Sequence, residues 1–332
     1  MGFRILILTE GIADVTHGPV GERSRSYVDE LPKRLEALVP DVEIDLCRTT
    51  EEAEKSIASA DAAFGVIGPE LLREATRLRW IMSPVAGPKA GYYHASLVES
   101  DVVVTNMREI YSDHIGAHIM AFVLAFARGL HVYLPRQTHM KWEPGTPVVH
   151  LPEATALVVG VGGIGAEAAR LCAAFGMTVI GVDGRREEPP EGVAELLRPD
   201  ALASVLPQSD FVIVTVPETP ETQGMFGASL FRTMKRTAFF INIGRGATVV
   251  LDDLNDALRA GEISGAALDV FEIEPLPADH PLWDAPGMII TPHVAGAGPY
   301  LDERRAEVFL DNCVRFNEGR PLRNVVDKAR WF

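Results

Sequence analysis

Three polar side chains lie in short motifs that each follow an apolar run, and their types suit anion binding and proton transfer. Arg245 belongs to Ile241-Asn-Ile-Gly-Arg-Gly246, Glu274 to Leu268-Asp-Val-Phe-Glu-Ile-Glu-Pro-Leu-Pro277, and His293 to Thr291-Pro-His-Val-Ala-Gly296. Each motif begins where a predicted strand ends, and in an open parallel sheet that edge meets the ligand. We therefore expect Arg245, Glu274 and His293 to converge over one bound cofactor.

A glycine-rich turn must position that cofactor. The run Ala156-Leu-Val-Val-Gly-Val-Gly-Gly-Ile-Gly165 reads as a strand followed by GxGxxG, and a helix is predicted over residues 166–175. In this pattern Gly160 allows the tight turn, Gly162 lets the backbone approach a pyrophosphate, and Gly165 lets the helix pack closely on the sheet. The amides at the helix start then favour phosphate, and Gly176 is placed to end the helix.

Asp183 points to the identity of the cofactor. It ends the next apolar run, about 20 residues after the first glycine, where a carboxylate accepts hydrogen bonds from ribose hydroxyls. This predicts NAD, because the carboxylate would repel a 2′-phosphate. Arg185 and Arg186 could hold that phosphate if Asp183 turned away, so NADP is not excluded.

The composition describes an ordinary globular chain. Its 332 residues predict two domains, and 47% are hydrophobic and 23% charged. A net charge of −15 disfavours nucleic acid and anionic membrane as partners. Cys47, Cys172 and Cys313 are too few and too scattered for a disulfide framework, and Cys172 is expected to be an inert core thiol. The apolar run Ile5 to Leu8 is too short for a signal or a span, so we expect a cytoplasmic protein.

Apolar runs alternate with amphipathic stretches throughout, which predicts the α/β class. We expect two Rossmann-like or flavodoxin-like domains with parallel sheets and an interdomain active-site cleft. The substrate-binding domain would comprise residues 1–106 and 297–332, and the nucleotide-binding domain residues 107–296. Long helices are predicted over residues 112–128 and 300–317, and a polar, proline-containing segment over 134–152. The predicted strands are 4–8, 42–46, 62–67, 78–82, 102–105, 156–160, 177–182, 211–216, 238–243, 266–271 and 288–291.

The order and spacing of the four motifs resemble the D-2-hydroxyacid dehydrogenase family over nearly the whole chain. This resemblance implies reduction of a small 2-keto acid, such as glyoxylate or hydroxypyruvate, with NAD(P)H, or the reverse reaction. It implies that Arg245 binds the substrate carboxylate and carbonyl oxygen, that His293 is the general acid/base, and that Glu274 pairs with His293. Chemistry agrees, because carbonyl reduction leaves charge on the oxygen and needs both a proton donor and a fixed cation.

The resemblance implies further contacts and a homodimer. Asp269 would contact the nicotinamide carboxamide, and Trp142 lies in a segment that resembles the intersubunit arm, where it could reach the partner's site. The remaining expected residues lie at the phosphates and adenosine (Gly163, Ile164, Ile243, Val216, Pro217 and Thr222) and on a loop whose backbone amides hold the substrate carboxylate (Val85, Ala86 and Gly87).

Two departures and several alternatives stay open. Gly116-Ala117-His118 stands where the family usually carries Ala-Glu-His. The substrate loop reads Pro84-Val-Ala-Gly-Pro-Lys-Ala-Gly91, whereas the commoner family form has an Asp after a glycine-valine pair. His114 and His118 have zinc-ligand spacing, but helix packing is favoured and no metal is predicted. Glu272 is an alternative partner for His293. The alternatives in function are a non-enzymatic NAD-sensing protein and a dehydrogenase of another small anion, such as formate or phosphite.

Overall fold

A computed structural model describes residues 2–12, 22–87 and 91–330 of the chain. The chain divides into two compact units, one comprising Met1–Ile110 and Ala297–Phe332 and the other Tyr111–Gly296. The expected boundary at residue 106 lies a few residues before this division. The first unit is therefore discontinuous in sequence, with the second unit inserted into it.

Short strands and helices alternate in both units. In the described ranges the strands are β1 Arg4–Leu8, β2 Glu43–Cys47, β3 Ala62–Phe64, β4 Trp80–Met82, β5 Val103–Thr105, β6 Thr155–Val159, β7 Thr178–Val182, β8 Glu195–Leu197, β9 Phe211–Val214, β10 Phe239–Asn242, β11 Gly265–Leu268 and β12 Met288–Ile290. The α-helices are α1 Glu22–Leu38, α2 Thr50–Ala53, α3 Pro69–Glu74, α4 Ala95–Glu99, α5 Ser112–Ala127, α6 Leu130–Thr138, α7 Gly163–Ala174, α8 Leu202–Val205, α9 Ala228–Thr233, α10 Leu251–Arg259 and α11 Leu301–Asn317.

Each unit is built on one sheet whose paired strands run parallel. The first sheet has the order β2-β1-β3-β4-β5, which is the flavodoxin-like order. The second has the order β12-β11-β10-β9-β6-β7-β8, which contains the Rossmann order. From β6 the chain adds strands first on one side, up to β8, and then on the other side from β9, so the switch point lies between β6 and β9. The predicted α/β class with two parallel sheets is confirmed.

Both faces of the second sheet are covered, as a parallel sheet requires. Along β6, Ala156 and Val158 pack into one apolar core, and Leu157 and Val159 pack into the other. Helices α5 and α7 contribute to the first core and α9 and α10 to the second. Burial on both faces explains why the strand reads as a continuous apolar run.

Some element bounds differ from the expectations. Helix α7 begins at Gly163 rather than Ala166, because the N–H of Ala166 already donates to the carbonyl of Gly162. It ends before Gly176, whose φ of +86° is left-handed as expected. The predicted polar segment 134–152 overlaps helix α6, which contains Pro135. Strand β8 was not predicted from the sequence. Strand β8 is short and pairs only with β7, so its apolar signal is weak.

The C-terminal helix α11 packs against α1 in the first unit. Arg34 of α1 and Glu303 of α11 form an ion pair at 2.8 Å, and the rings of Phe64 and Phe309 meet edge to face at 5.1 Å. Within the described ranges, no single helix is both long and apolar enough to cross a membrane. The pair Ser112–Ala127 and Leu130–Thr138, bent by 75°, reaches the required length and hydropathy only together.

Candidate active site

The glycine-rich turn after β6 has the backbone geometry expected of a phosphate-binding turn. Gly160 has φ +90°, and a Cβ there would lie 2.8 Å from Cγ1 of Val216. A Cβ on Gly165 would lie 2.0 Å from the carbonyl oxygen of Gly160, so only glycine permits this approach of α7 to the strand. A Cβ on Gly162 would meet nothing within 4 Å. The backbone at Gly162 therefore faces open space at the start of α7, as a pyrophosphate site requires.

Asp183 follows β7 and is held by the backbone around it. Its Oδ2 accepts from the N–H of Val161 at 2.7 Å, and its Oδ1 accepts from the N–H of Arg185 at 2.8 Å and of Arg186 at 2.9 Å. Burial raises the pKa of Asp183, but these three bonds and the charge of Arg185 outweigh burial and hold the pKa below its usual value. The carboxylate is therefore ionised beside the turn.

The expected adenosine segment follows β9, across the reversal point from β6. Thr222 donates its hydroxyl to the carbonyl of Pro217 at 2.7 Å and accepts from the N–H of Thr219 at 2.8 Å. These bonds close a turn that carries Val216 and Pro217 along the same sheet edge as the glycine-rich turn. Ile243, by contrast, is buried in the apolar core, and its N–H donates to Val214.

A buried asparagine sets the turn that carries Arg245. The Oδ1 of Asn242 accepts from the N–H of Gly244 at 3.0 Å, and its Nδ2 donates to the carbonyl of Arg245 at 3.0 Å. A Cβ on Gly246 would lie 1.8 Å from the carbonyl carbon of Phe271. The turn therefore lies directly against the loop that leads to Glu274.

Arg245 is the cation of the site. Its Nη1 donates to the carbonyl of Gly244 at 2.7 Å. Burial lowers the pKa of Arg245, and the charges of Glu274 and Glu218 act in the opposite direction. An arginine remains protonated under such conditions, so the half-buried guanidinium keeps its charge for an anionic ligand.

Glu274 and His293 form a close pair. The Nδ1 of His293 lies 2.9 Å from Oε2 and 3.0 Å from Oε1 of Glu274, and both side chains are 23% exposed. The N–H of Phe271 donates to Oε1 of Glu274 at 3.0 Å and fixes the carboxylate. Because the carboxylate accepts at Nδ1, that nitrogen carries a proton, and the contact fixes the orientation of the ring. Glu272, the alternative partner, is exposed to solvent.

The structure places Asp269 under the histidine loop. Asp269 is 1% exposed; its Oδ1 accepts from the hydroxyl of Thr291 at 2.5 Å and the N–H of Val294 at 2.9 Å, and its Oδ2 accepts from the N–H of Ala295 at 2.9 Å. The expected contact with a nicotinamide remains a prediction. Asn242 and Thr291 were not singled out from the sequence, although each polar residue ends or follows an apolar run.

The expected substrate loop lies in the first unit and follows β4. The hydroxyl of Ser83 donates to the carbonyl of Val85 at 3.1 Å, and Nδ2 of Asn106 donates to the carbonyl of Ala86 at 2.7 Å. Val85 is buried, whereas Ala86 and Gly87 are partly exposed. Residues 88–90 of the same loop lie outside the described ranges. Ser83 and Asn106, which sequence reasoning missed, therefore orient the backbone of this loop.

The family comparison matches the second unit. The model of the D-isomer specific 2-hydroxyacid dehydrogenase, NAD binding domain, matches residues 120–295. These residues include the glycine-rich turn, Arg245, Glu274 and His293. The match thus covers more than half of the chain, and it includes every polar side chain described in this subsection for the second unit.

Whole-length comparisons agree. The chain is similar to the glyoxylate/hydroxypyruvate reductase B of Citrobacter koseri, with 32% identity over 91% of this chain and 96% of that protein. It is also similar to the solved D-isomer specific 2-hydroxyacid dehydrogenase of Xanthobacter autotrophicus in complex with NADPH and MES, with a TM-score of 0.83, 28% identity and complete coverage of both chains. An NADPH-dependent glyoxylate/hydroxypyruvate reductase from Sinorhizobium meliloti, solved with NADP and sulfate, has a TM-score of 0.79 and 27% identity and covers 99% of this chain and 100% of its own.

Proposed function

The chain belongs to the D-isomer specific 2-hydroxyacid dehydrogenase family, and we propose that it reduces glyoxylate, hydroxypyruvate or a similarly small 2-keto acid through His293, Glu274 and Arg245. As a member of the family it is an NAD(P)-dependent oxidoreductase that transfers hydride between the cofactor and a small 2-keto acid. The observation that carries the assignment of residues is the pairing of His293 with Glu274 at 2.9 Å beside a charged Arg245.

Each residue has a distinct role in the reduction. A bound nicotinamide supplies the hydride to the carbonyl carbon. His293 gives a proton from Nε2 to the carbonyl oxygen, and Glu274 stabilises the charged imidazole and fixes its orientation. Arg245 binds the substrate carboxylate through its planar fork and offsets charge that develops on the oxygen. In the oxidative direction His293 starts neutral and accepts the proton.

We infer that the first unit is the substrate-binding domain and the second the NAD(P)-binding domain. The backbone amides of Ala86 and Gly87 would bind the substrate carboxylate, on a loop held by the hydrogen bonds from Ser83 and Asn106. The expected amide of Val85 instead donates to Oγ of Ser83 at 3.3 Å. The open backbone at Gly162 would receive the pyrophosphate, and Asp269 the nicotinamide carboxamide. Ionised Asp183 favours NADH over NADPH, because it repels a 2′-phosphate, although Arg185 and Arg186 reduce the discrimination.

Exposed apolar side chains on α6 and in the segment after it support a homodimer. Leu134, Met140 and Trp142 are 57%, 93% and 98% exposed, and their closeness in sequence favours an apolar surface that another chain covers. A second copy would cover them, and Trp142 would then lie near the partner's site. Light scattering at micromolar concentration tests the dimer. If Trp142→Ala had unchanged kinetics with every keto acid, Trp142 would have no role in the partner's active site.

The three cysteines support a cytoplasmic location. Cys47, Cys172 and Cys313 are all buried and unpaired, as expected of a chain that works in a reducing compartment. Cell fractionation with an antibody against the chain tests this proposal, and recovery from an oxidising compartment would contradict it.

A substrate panel tests the function. Loss of NADH or NADPH absorbance is expected with glyoxylate and hydroxypyruvate, and pyruvate and phenylpyruvate measure the size of the pocket. Tight NADH binding without turnover of any keto acid would instead indicate a sensor. Turnover of formate or phosphite with NAD, without turnover of keto acids, would indicate a dehydrogenase of another small anion.

A further inference from the structure

His118 of α5 contacts the loop that carries His293. Its Nε2 lies 3.1 Å from Oγ1 of Thr291 and 3.9 Å from Oδ1 of Asp269. We propose that His118 is a positioning residue that acts through Thr291 and Asp269 to hold the loop 291–295, and with it His293, in the catalytic arrangement. The proposal rests on the function proposed above.

The direction of each hydrogen bond follows from the number of available protons. The hydroxyl of Thr291 lies 2.5 Å from the carboxylate of Asp269, which also accepts from two backbone N–H groups. A hydroxyl has one proton, and Thr291 donates it to Asp269. Thr291 must therefore accept from His118, so Nε2 of His118 carries a proton. The imidazole thereby orients the Thr291 hydroxyl toward the carboxylate.

The carboxylate of Asp269 holds together the two ends of the loop 291–295. A buried carboxylate needs several donors, and those of Asp269 come from Thr291, Val294 and Ala295, on both sides of His293. The N–H of His293 donates to the carbonyl of Asp269 at 2.8 Å. His293 has a left-handed backbone, with φ +54°, a conformation that residues other than glycine adopt uncommonly. Loss of one donor therefore weakens a loop that is already conformationally demanding.

The surroundings of His118 keep it in the donating form. Its ring packs edge to face on Phe122, with centroids 4.6 Å apart. Burial lowers the pKa of His118, although the charge of Asp269 acts in the opposite direction. At neutral pH the neutral ring with its proton on Nε2 satisfies Thr291 without a buried positive charge. A glutamine amide could supply the same donor, whereas leucine could not.

A set of three variants tests the proposal by kinetics. His118→Leu is expected to lower kcat about tenfold, with a larger solvent isotope effect and a smaller change in the Kd for NADH, because proton transfer depends on the position of His293. His118→Gln should restore kcat to within about threefold of wild type by replacing the donor. His114→Leu is the matched control, one turn earlier on α5; Nε2 of His114 is buried and has no hydrogen-bond partner among the described residues, so kcat should not change.

Hydrogen exchange tests the same claim without turnover. Peptides that cover residues 291–296 should exchange faster in His118→Leu than in wild type, His118→Gln or His114→Leu. Equal exchange in His118→Leu and wild type, or exchange in His118→Gln as fast as in His118→Leu, would overturn the proposal. If wild type reduced no keto acid, the function proposed above would fail, and the exchange data would still decide whether His118 holds the loop.

Discussion

Glu274 contacts the Nδ1 atom of His293 with both carboxylate oxygens, at 2.9 and 3.0 Å. The two residues lie in different loops, after β11 and β12. Because Nδ1 is occupied by the carboxylate, the proton donor in the proposed reaction is the opposite nitrogen of the ring, Nε2. A bond to the charged form also stabilises the imidazolium, which is the form that donates the proton in keto acid reduction.

Removal of the imidazole separates proton transfer from cofactor binding. His293→Ala is expected to lower kcat for glyoxylate reduction by about 10²-fold or more, because the variant loses the imidazole that supplies the proton in the proposed reaction. The Kd for NADH, measured by fluorescence titration, should stay near the wild-type value, since the glycine-rich turn is built by other residues. A full rate in His293→Ala would mean that another group donates the proton.

Removal of the carboxylate charge should give a smaller defect. Glu274→Gln keeps the size of the side chain and a carbonyl oxygen for Nδ1, but it no longer stabilises a charged imidazole. We expect kcat to fall by about 10-fold, less than in His293→Ala, because the donor remains in place. Glu272→Gln is the matched control in the same loop. If the two glutamine variants lost equal activity, the assignment of Glu274 would have to be abandoned.

The choice of cofactor depends on the charge of Asp183. Asp183→Asn removes the charge that repels a 2′-phosphate, and Arg185 and Arg186 remain beside it. We expect the ratio of kcat/KM for NADPH to that for NADH to rise about tenfold or more, which corresponds to roughly 1.4 kcal/mol. Arg185→Ala should change the ratio in the opposite direction. An unchanged ratio in both variants would place the ribose end of the cofactor elsewhere.

Two glycines of the same turn should respond differently to alanine. A Cβ on Gly165 would lie 2.0 Å from the carbonyl oxygen of Gly160, so Gly165→Ala should lower both Tm and NADH affinity, with a loss of about 1–3 kcal/mol in the free energy of unfolding. A Cβ on Gly162 would meet nothing within 4 Å, so Gly162→Ala should keep the wild-type Tm but bind NADH weakly. Thermal unfolding and NADH titration of both variants check the contrast.

The burial of His131 leads us to expect that the folded protein becomes less stable in acid. Its ring packs edge to face with Phe126 and Phe239 at 5.1 and 5.7 Å, and its Nδ1 is buried without a hydrogen-bond partner in the described part of the chain. Burial lowers the pKa of His131, although the nearby backbone of Ala125 acts in the opposite direction. The unfolded chain therefore binds this proton more readily than the folded chain, and stability falls as pH drops below about 6.5, by at most about 1.4 kcal/mol per pH unit.

Replacement by an apolar ring should remove that sensitivity. His131→Phe is expected to raise Tm at pH 5.5 relative to wild type more than it does at pH 7.5. Differential scanning calorimetry at the two pH values measures the difference. An identical change in Tm at both values would show that His131 does not titrate on unfolding.

Local patterns predicted the glycine-rich turn and strand β6 well. The turn at Gly160, Gly162 and Gly165 could be predicted because the backbone geometry of a pyrophosphate-binding turn favours glycine at these positions. The three glycines lie close together in the sequence, so their spacing can be recognised without the structure. Strand β6 was predictable because burial on both faces of a parallel sheet requires an uninterrupted apolar run. Strand β8 was missed because an edge strand of three residues needs little apolar sequence.

The sequence by itself determined which group types are present and that each follows a strand, since apolar runs and glycine spacing are properties of neighbouring residues. Only the tertiary structure decided that Asp269 turns under the histidine loop and that His118 reaches Thr291, and it brought Glu274, the expected partner, rather than Glu272 to His293. These choices depend on how loops from β11 and β12 and the helix α5, far apart in the chain, satisfy buried polar atoms together. Hydrogen-bond pairing between distant segments leaves no periodic trace in the sequence, so it becomes visible only when the chain is folded.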